Sequence, residues 1–503
     1  MTAATLGALL RARARERPDA PLLRFAGQQR SYAQVDADSE RLARRLRERG
    51  VATGERVALM LPNGLAFPTA WLALAKLGAV AVPVNVGARG SDLEHVLRDS
   101  GARLAIVDPP LAERIPAVAP ALEVAPWPVL EAELAAVPAD PLPPLADPDP
   151  LLNLQYTSGT TGLPKACMLT HGYWLGLAER CGELLGLRED DVCLAAQPFS
   201  YMDPQWMTAA MIACGGALEI LPRFSASTFW RSAADSRATV TYLVGTMPLL
   251  LLRQPEDPVE RRHRLRLVLC SGIVPDLHAE FERRWAVPWR EAYGMTETGL
   301  DLAVDRDDAA SVGSGSIGRP VPGKQARIVD GDDRPAPDGT VGELVVRGGT
   351  TMRGYWNRPE DTARTIRDGW LHTGDLAVRR ADGRFWIVGR LKDMIRRGGE
   401  NVAAAEVEAV LATHPDVATA AVIGVPDPLR GEEVKAVVQR CRGATATAAE
   451  LRSFAAERLA PFKVPRFWSL VDELPRTPSE RVAKHQLPRT AADAWDARPE
   501  LAR

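Results

Sequence analysis

The chain has 503 residues, 46% of them hydrophobic and 25% charged, with 62 basic against 64 acidic side chains and a formal net charge of −2. At about 150 residues per domain this allows roughly three lobes with buried cores, and the balanced charge gives no support to a nucleic-acid surface or a polybasic membrane surface. The six cysteines, at 167, 181, 193, 214, 270 and 441, form no C-x-x-C pair and no Cys/His cluster at metal spacing, so free thiols in a reducing compartment are expected, without zinc or disulfides.

The first residues, MTAATLGALLRARARERPDAP, read as a short amphipathic helix whose apolar part is interrupted by arginine too early for a secretory signal. Ser31 opens a helix with Val35, Leu42 and Leu46 on one face, and Gly50 ends it. A strand at 57–61, a helix at 67–77 and strands at 79–84 and 104–107 follow. The longest apolar region, 67–84, contains Lys76, Gly78 and two prolines, which makes it a helix and a strand and not a membrane span. A cytoplasmic location is therefore expected.

Strands that are apolar throughout and alternate with helices predict parallel sheets with both faces covered. The proline-rich stretch 137–150 is a linker. Strands at 241–244 and 265–270 and a helix at 275–285 form a second alternating set, and 323–347 changes to short strands with turns at DGDD and PDG. After Gly389 come a helix (406–411), strands (417–425 and 434–439), a helix (448–459) and a strand (467–471), with a loosely ordered tail expected beyond Arg489. The expected fold is α/β: a large domain, 1–389, of two helix-covered sheets and a small β-rich lobe, followed by a small mobile α/β domain, 390–503.

Residues 156–171, YTSGTTGLPKACMLTH, carry the strongest chemical signal. Gly159 and Gly162 let backbone N–H groups approach an anion, Thr157, Ser158, Thr160 and Thr161 add hydroxyl donors, and Lys165 supplies a mobile positive charge. The spacing differs from the pattern G-x-x-x-x-G-K-[ST]. A flexible linker would not need the apolar flanks LLNLQY and ACML, which look like buried strands.

This loop resembles the phosphate-binding signature of adenylate-forming enzymes: acyl-CoA synthetases, luciferases and peptide-synthetase adenylation domains. YGMTE at 293–297, WLHTGD at 370–375 and GRLKDMIRRGGENVAAAEVE at 389–408 follow in that family's order, so the resemblance spans nearly the whole chain. It implies ATP-dependent activation of a carboxylic acid as acyl-adenylate, with release of pyrophosphate and transfer to CoA. A carrier-protein thiol, an amine, or nitrite-dependent diazotisation of an aryl amine is the alternative acceptor chemistry. By the same resemblance, Thr157 to Lys165 hold the β and γ phosphates, Thr296 contacts the α-phosphate, and Glu297 helps to hold Mg²⁺, an ion that prefers oxygen ligands. Tyr293 would stack on adenine, Asp375 would accept from the ribose hydroxyls, and Arg390 would touch the same ribose. Lys392 falls at the family's hinge, and Gly398 and Gly399 would allow a pantetheine arm to approach. A homodimer is expected by analogy alone.

Two stretches depart from the family pattern. Where the family reads PRTxxGK, residues 475–481 read PRTPSER, so Arg481 stands for the lysine that bridges substrate carboxylate and α-phosphate, and Lys484 is the other candidate. In QPFSYMDPQW, 197–206, Tyr201 falls near a position where many relatives carry histidine. Tyr201, Asp203, Trp206 and Gly272 are the candidate acid-pocket residues, with Tyr242 a further aromatic; the three aromatics suit a compact, aromatic acid or, as an equal alternative, ordinary core packing. For Asp203, which precedes Pro204, a helix N-cap is the favoured alternative.

Overall fold

The computed structural model describes residues 4–147, 149–157, 164–398, 400–476 and 482–497. Ser158, Gly159, Thr160, Thr161, Gly162, Gly399 and Arg481 lie outside the described residues.

Helix Tyr32–Glu48 starts where its sequence dictates. Ser31 accepts from the Gln34 backbone N–H while the Gln34 side chain accepts from the Ser31 N–H, a reciprocal capping box. Its buried face carries Val35, Leu42 and Leu46, as the spacing predicts. The next helix, Ala66–Leu77, is buried on every side and ends at Gly78, whose φ of 74° is left-handed. Lys76 within it is buried and ion-paired with Asp36 at 2.6 Å and Glu40 at 3.2 Å.

Among the described residues, one sheet runs in the order Glu123–Pro126, Leu104–Val107, Arg56–Met60, Val80–Pro83, Leu151–Thr157, Lys165–Thr170. The first five strands are parallel, in keeping with their continuous apolar runs. Lys165–Thr170 is antiparallel to Leu151–Thr157, with Thr157 opposite Lys165. The two flanks of the glycine-rich loop are thus a paired hairpin at the sheet edge.

A second sheet has the order Arg319–Pro320, Gly299–Ala303, Trp289–Met295, Leu267–Ser271, Val240–Val244, Val192–Ala195, Ala217–Ile220, Pro21–Phe25, Gln28–Ser31. Helix Pro275–Trp285 covers part of it through an aromatic core in which the Trp285 ring lies 4.9 Å from Trp230, 5.4 Å from Phe281 and 5.1 Å from Trp289.

The chain divides into two compact units, Met1–Gln325 with Arg347–Trp370, and Ala326–Val346 with Leu371–Arg503. The first contains both large sheets. In the second, Val341–Arg347, Trp370–Arg379 and Phe385–Arg390 form an antiparallel ladder, and a further sheet is built on Gly431–Arg440, paired with Val417–Asp427, Met394–Arg397 and Phe467–Val471. The β-rich lobe therefore groups with the carboxy-terminal residues, and position 389/390 lies inside the second unit.

The tail corrects an expectation. Trp495–Asp496 pairs with Phe467–Val471, and the buried Lys435 ammonium donates to the carbonyls of Pro488 and Thr490 and pairs with Asp493 at 2.7 Å. A buried ammonium needs those acceptors, so the described part of the tail is fastened to the sheet and not loose.

Candidate active site

Tyr293 lies on strand Trp289–Met295, opposite Leu302, and the register slips at Gly294. A Cβ at Gly294 would stand 1.8 Å from the Gly299 carbonyl oxygen, so this bulge admits only glycine. Thr296 and Glu297 form the turn that follows, and the Tyr173 hydroxyl donates to the Thr296 carbonyl at 3.0 Å.

A buried ionic knot backs this turn. The Lys324 ammonium lies 2.9 Å from Asp301 and donates to the carbonyls of Thr298 at 2.7 Å and Thr350 at 3.4 Å. The Thr298 hydroxyl donates to Asp301, and the Thr350 hydroxyl donates to the Thr298 carbonyl at 2.7 Å. All four residues are buried. Burial pushes the Asp301 carboxyl up and the Lys324 ammonium down, and the attraction between the two opposes both shifts.

Lys165 and Glu297 are brought together by a residue absent from the expected set, Tyr355. The Lys165 ammonium sits 5.3 Å from the Tyr355 ring centroid, and the Tyr355 hydroxyl donates to Glu297 at 2.7 Å. Burial raises the Tyr355 phenol far above its ordinary range, so it stays a donor. Residues 352–356 form a seam: Met352 N–H donates to Glu297 O at 2.7 Å, Met168 N–H to Gly354 O at 2.9 Å, and Trp356 N–H to Ala166 O at 2.9 Å. Lys165 also forms an ion pair with Asp361 at 3.1 Å, and a His95 ring nitrogen lies 2.8 Å from the Pro164 carbonyl oxygen.

The candidate acid wall joins the same strand system. Trp206 meets Tyr242 edge-on, 5.6 Å between ring centroids. The Tyr242 and Ser271 hydroxyls are 2.7 Å apart, and Ser271 donates to the carbonyl of Ala292, the neighbour of Tyr293. Gly272, at φ 99°, donates its N–H to Glu291 at 2.7 Å, as does Ile273. Burial pushes the Glu291 carboxyl up to about 7, against the pull of those two N–H groups. Tyr201 accepts from the Asn85 amide at 3.0 Å. Helix Met202–Cys214 starts one residue after Tyr201, which is its N-cap residue. Asp203 lies in its first turn and is not the cap. There its charge still favours the helix N-terminus.

Side-chain amides hold this wall from behind. Gln205 donates to the carbonyls of Phe199 and Tyr201 at 2.9 and 3.0 Å. Gln155 donates to the Ser200 carbonyl at 2.7 Å, and Gln197 to the Tyr242 carbonyl at 2.7 Å. Asn153 links Gln205 to the Trp71 indole. These buried amides are paired with one another, as burial requires.

In the second unit, Asp375 and Arg390 face each other across the ladder and form an ion pair at 2.9 Å, with Asp375 buried. Glu343 fixes the turn before Asp375, accepting from Gly374 N–H at 2.9 Å and pairing with His372 at 2.8 Å. Lys392 lies in the short helix Leu391–Asp393. Burial lowers its ammonium, partly offset by Asp393. Lys484 is bound to Glu408 at 2.7 Å and lies 3.6 Å from Asp393. Gly398 has φ 58°.

The expected residues therefore fall into linked sets: Lys165 with Glu297, Trp206 through Tyr242 and Ser271 to the carbonyl beside Tyr293, and Asp375 with Arg390. Missing from the expectation were Tyr355, Asp361, Glu291 and the Asp301–Lys324 pair. A charge in the apolar stretch GLDLA was the available signal for Asp301. Among the described residues no group of three or more His, Cys, Asp or Glu side chains is placed to hold a metal ion. The oxygen donor of Glu297 fits Mg²⁺ bound mainly through nucleotide phosphates, because that ion takes few protein ligands and keeps water.

Comparison with known proteins places the chain in a family. The AMP-binding enzyme family matches residues 10–356 and the AMP-binding enzyme C-terminal domain matches 406–481. The chain is 37% identical to a feruloyl-CoA synthase of Amycolatopsis sp, covering 95% of this chain and 97% of that one. It is 35% identical to the sulfoacetate–CoA ligase of Cupriavidus necator, covering 96% and 97%. The solved o-succinylbenzoate CoA synthetase of Bacillus subtilis, in complex with its acyl-adenylate intermediate, superposes with a TM-score of 0.88 at 29% identity, covering 97% and 99%. The chain belongs to the AMP-binding enzyme family, within the adenylate-forming superfamily.

Proposed function

We propose that the protein joins a carboxylic acid to ATP and passes the acyl group from the adenylate to the thiol of CoA. In the first step a carboxylate oxygen bonds to the α-phosphorus and pyrophosphate leaves. In the second the CoA sulfur bonds to the acyl carbon, AMP leaves, and the thiol proton passes to water. The observation that carries this reading is the Lys165–Tyr355–Glu297 array, which joins a cation for departing pyrophosphate to a carboxylate for the accompanying Mg²⁺. Relatives that act on CoA over nearly the whole chain length support CoA as acceptor.

Tyr293 stacks on adenine, Asp375 and Arg390 take the ribose, Thr157 and Lys165 hold the terminal phosphates, and Thr296 contacts the α-phosphate. Lys484 already neutralises Glu408, so Arg481 is the cation assigned to bridge acid and α-phosphate. A hinge at Lys392, dividing 1–389 from 390–503, serves the second half-reaction. The acid is compact and aromatic, a reading that the Trp206–Tyr242 pair supports.

The test is pyrophosphate release over a panel of aliphatic, aromatic and amino-substituted acids, with and without CoA, followed by product mass. A thioester is expected, and adenylation that never consumes CoA refutes CoA as acceptor. Arg481→Ala is expected to slow adenylation more than Lys484→Ala; the reverse order transfers the bridging role to Lys484.

A further inference from the structure

Asp361 stands on a rigid support. It lies in the first turn of helix Pro359–Thr365, where a carboxylate is favoured by the helix N-terminus. The Thr362 hydroxyl of that helix accepts from Tyr355 N–H at 2.8 Å and donates to the Arg358 carbonyl at 2.9 Å. A Cβ at Gly354 would meet Thr362 at 2.7 Å. The helix is thus pinned to the 352–356 seam, which is hydrogen-bonded to the strand that Lys165 begins. The backbones that carry Lys165 and Asp361 are therefore held in register, and their side chains meet at 3.1 Å. Their side chains are 28% and 15% exposed, and Arg364 supplies a second cation to Asp361.

We infer that Asp361 is a counter-ion that Lys165 exchanges for phosphate, and that it weakens the site's hold on pyrophosphate and so speeds its departure. This rests on the role proposed above for Lys165. A lysine turning to a polyphosphate must leave the carboxylate or share its charge, and in either case the fixed negative charge of Asp361 opposes the incoming anion. Arg364 keeps Asp361 paired when Lys165 leaves, which lowers the cost of the exchange. The hydrogen bond from Lys165, helped by the charges of Lys165 and Arg364, holds the Asp361 carboxyl below the usual carboxylate range against the effect of burial.

The experiment is calorimetric titration of the full chain with pyrophosphate and with α,β-methylene-ATP. Asp361→Asn is expected to tighten both by on the order of threefold to fivefold, the scale of a partly exposed ion pair. The same substitution made in a Lys165→Met background is expected to tighten them much less, because the competition acts through Lys165. Equal or weaker binding by Asp361→Asn, or equal tightening in both backgrounds, overturns the inference. Asp361→Ser carries the same expectation and decides the matter if the asparagine variant does not fold. A wild-type chain that binds neither ligand refutes the proposed function itself, whereas wild-type binding without tightening in the variant refutes only the counter-ion role.

Discussion

Removing the Lys324 charge tests whether the ionic knot supports the turn that carries Thr296 and Glu297. In Lys324→Met the Asp301 carboxylate keeps the Thr298 hydroxyl but loses its counter-ion in a fully buried setting. Breaking a buried pair from one side costs about 3–5 kcal/mol. The Thr298 carbonyl still accepts from Thr350, so its loss of the lysine adds little. Asp301 is already pushed up by burial, and without Lys324 it rises further above its unfolded value. A group raised in the folded state stabilises fully below its unfolded pKa and loses that contribution as pH rises. The variant's deficit relative to wild type is therefore expected to grow with pH, by up to about 1.4 kcal/mol per unit across the window between the wild-type folded value and the higher variant folded value. Urea unfolding at pH 5 and pH 7.5 measures this, with pyrophosphate exchange as the functional readout. The double variant Asp301→Asn/Lys324→Met should recover much of the loss. A single variant within about 1 kcal/mol of wild type, with a pH-independent difference, refutes the reasoning.

Two other predictions concern residues the sequence did not single out. His171 is buried, accepts from Leu6 N–H through Nδ1 at 3.0 Å, and has its pKa lowered by burial to about 4. The unfolded imidazole takes its proton near 6.5, so stability should fall by about 3 kcal/mol as pH drops from 6.5 to 4; urea midpoints that fall equally in His171→Asn would remove His171 as the cause. Tyr355→Phe keeps the ring beside Lys165 but deletes the donor to Glu297, and a loss of about 1–2 kcal/mol with slower pyrophosphate exchange is expected. Unchanged exchange would mean that the hydroxyl does not orient Glu297.

The motifs were legible because each packs its chemistry into a few neighbouring residues. Gly294 shows why: the collision it avoids involves Gly299, only five positions away. The link from Lys165 to Glu297 was not legible, since it runs through Tyr355 and a seam of backbone hydrogen bonds that leaves no periodicity. The extent of helix Met202–Cys214 was not legible for a different reason. Pro204 to Ile212 are all buried, so no polar face marks a helical repeat. Asp203 was misjudged as the cap because the helix begins two residues earlier than the Asp-Pro pair suggests. Parallel strands were recognised readily, because burial on both faces writes itself into four or five consecutive apolar residues.

The amide lattice behind residues 197–206 has a practical consequence for redesign. The backbone of that segment is fastened by Gln155, Gln197 and Gln205, each of which donates to a main-chain carbonyl. Its shape thus does not depend on which side chains Tyr201 and Asp203 present. Libraries at those two positions vary the proposed acid wall while keeping the frame, whereas a library that touches the three glutamines also removes the hydrogen bonds that hold it.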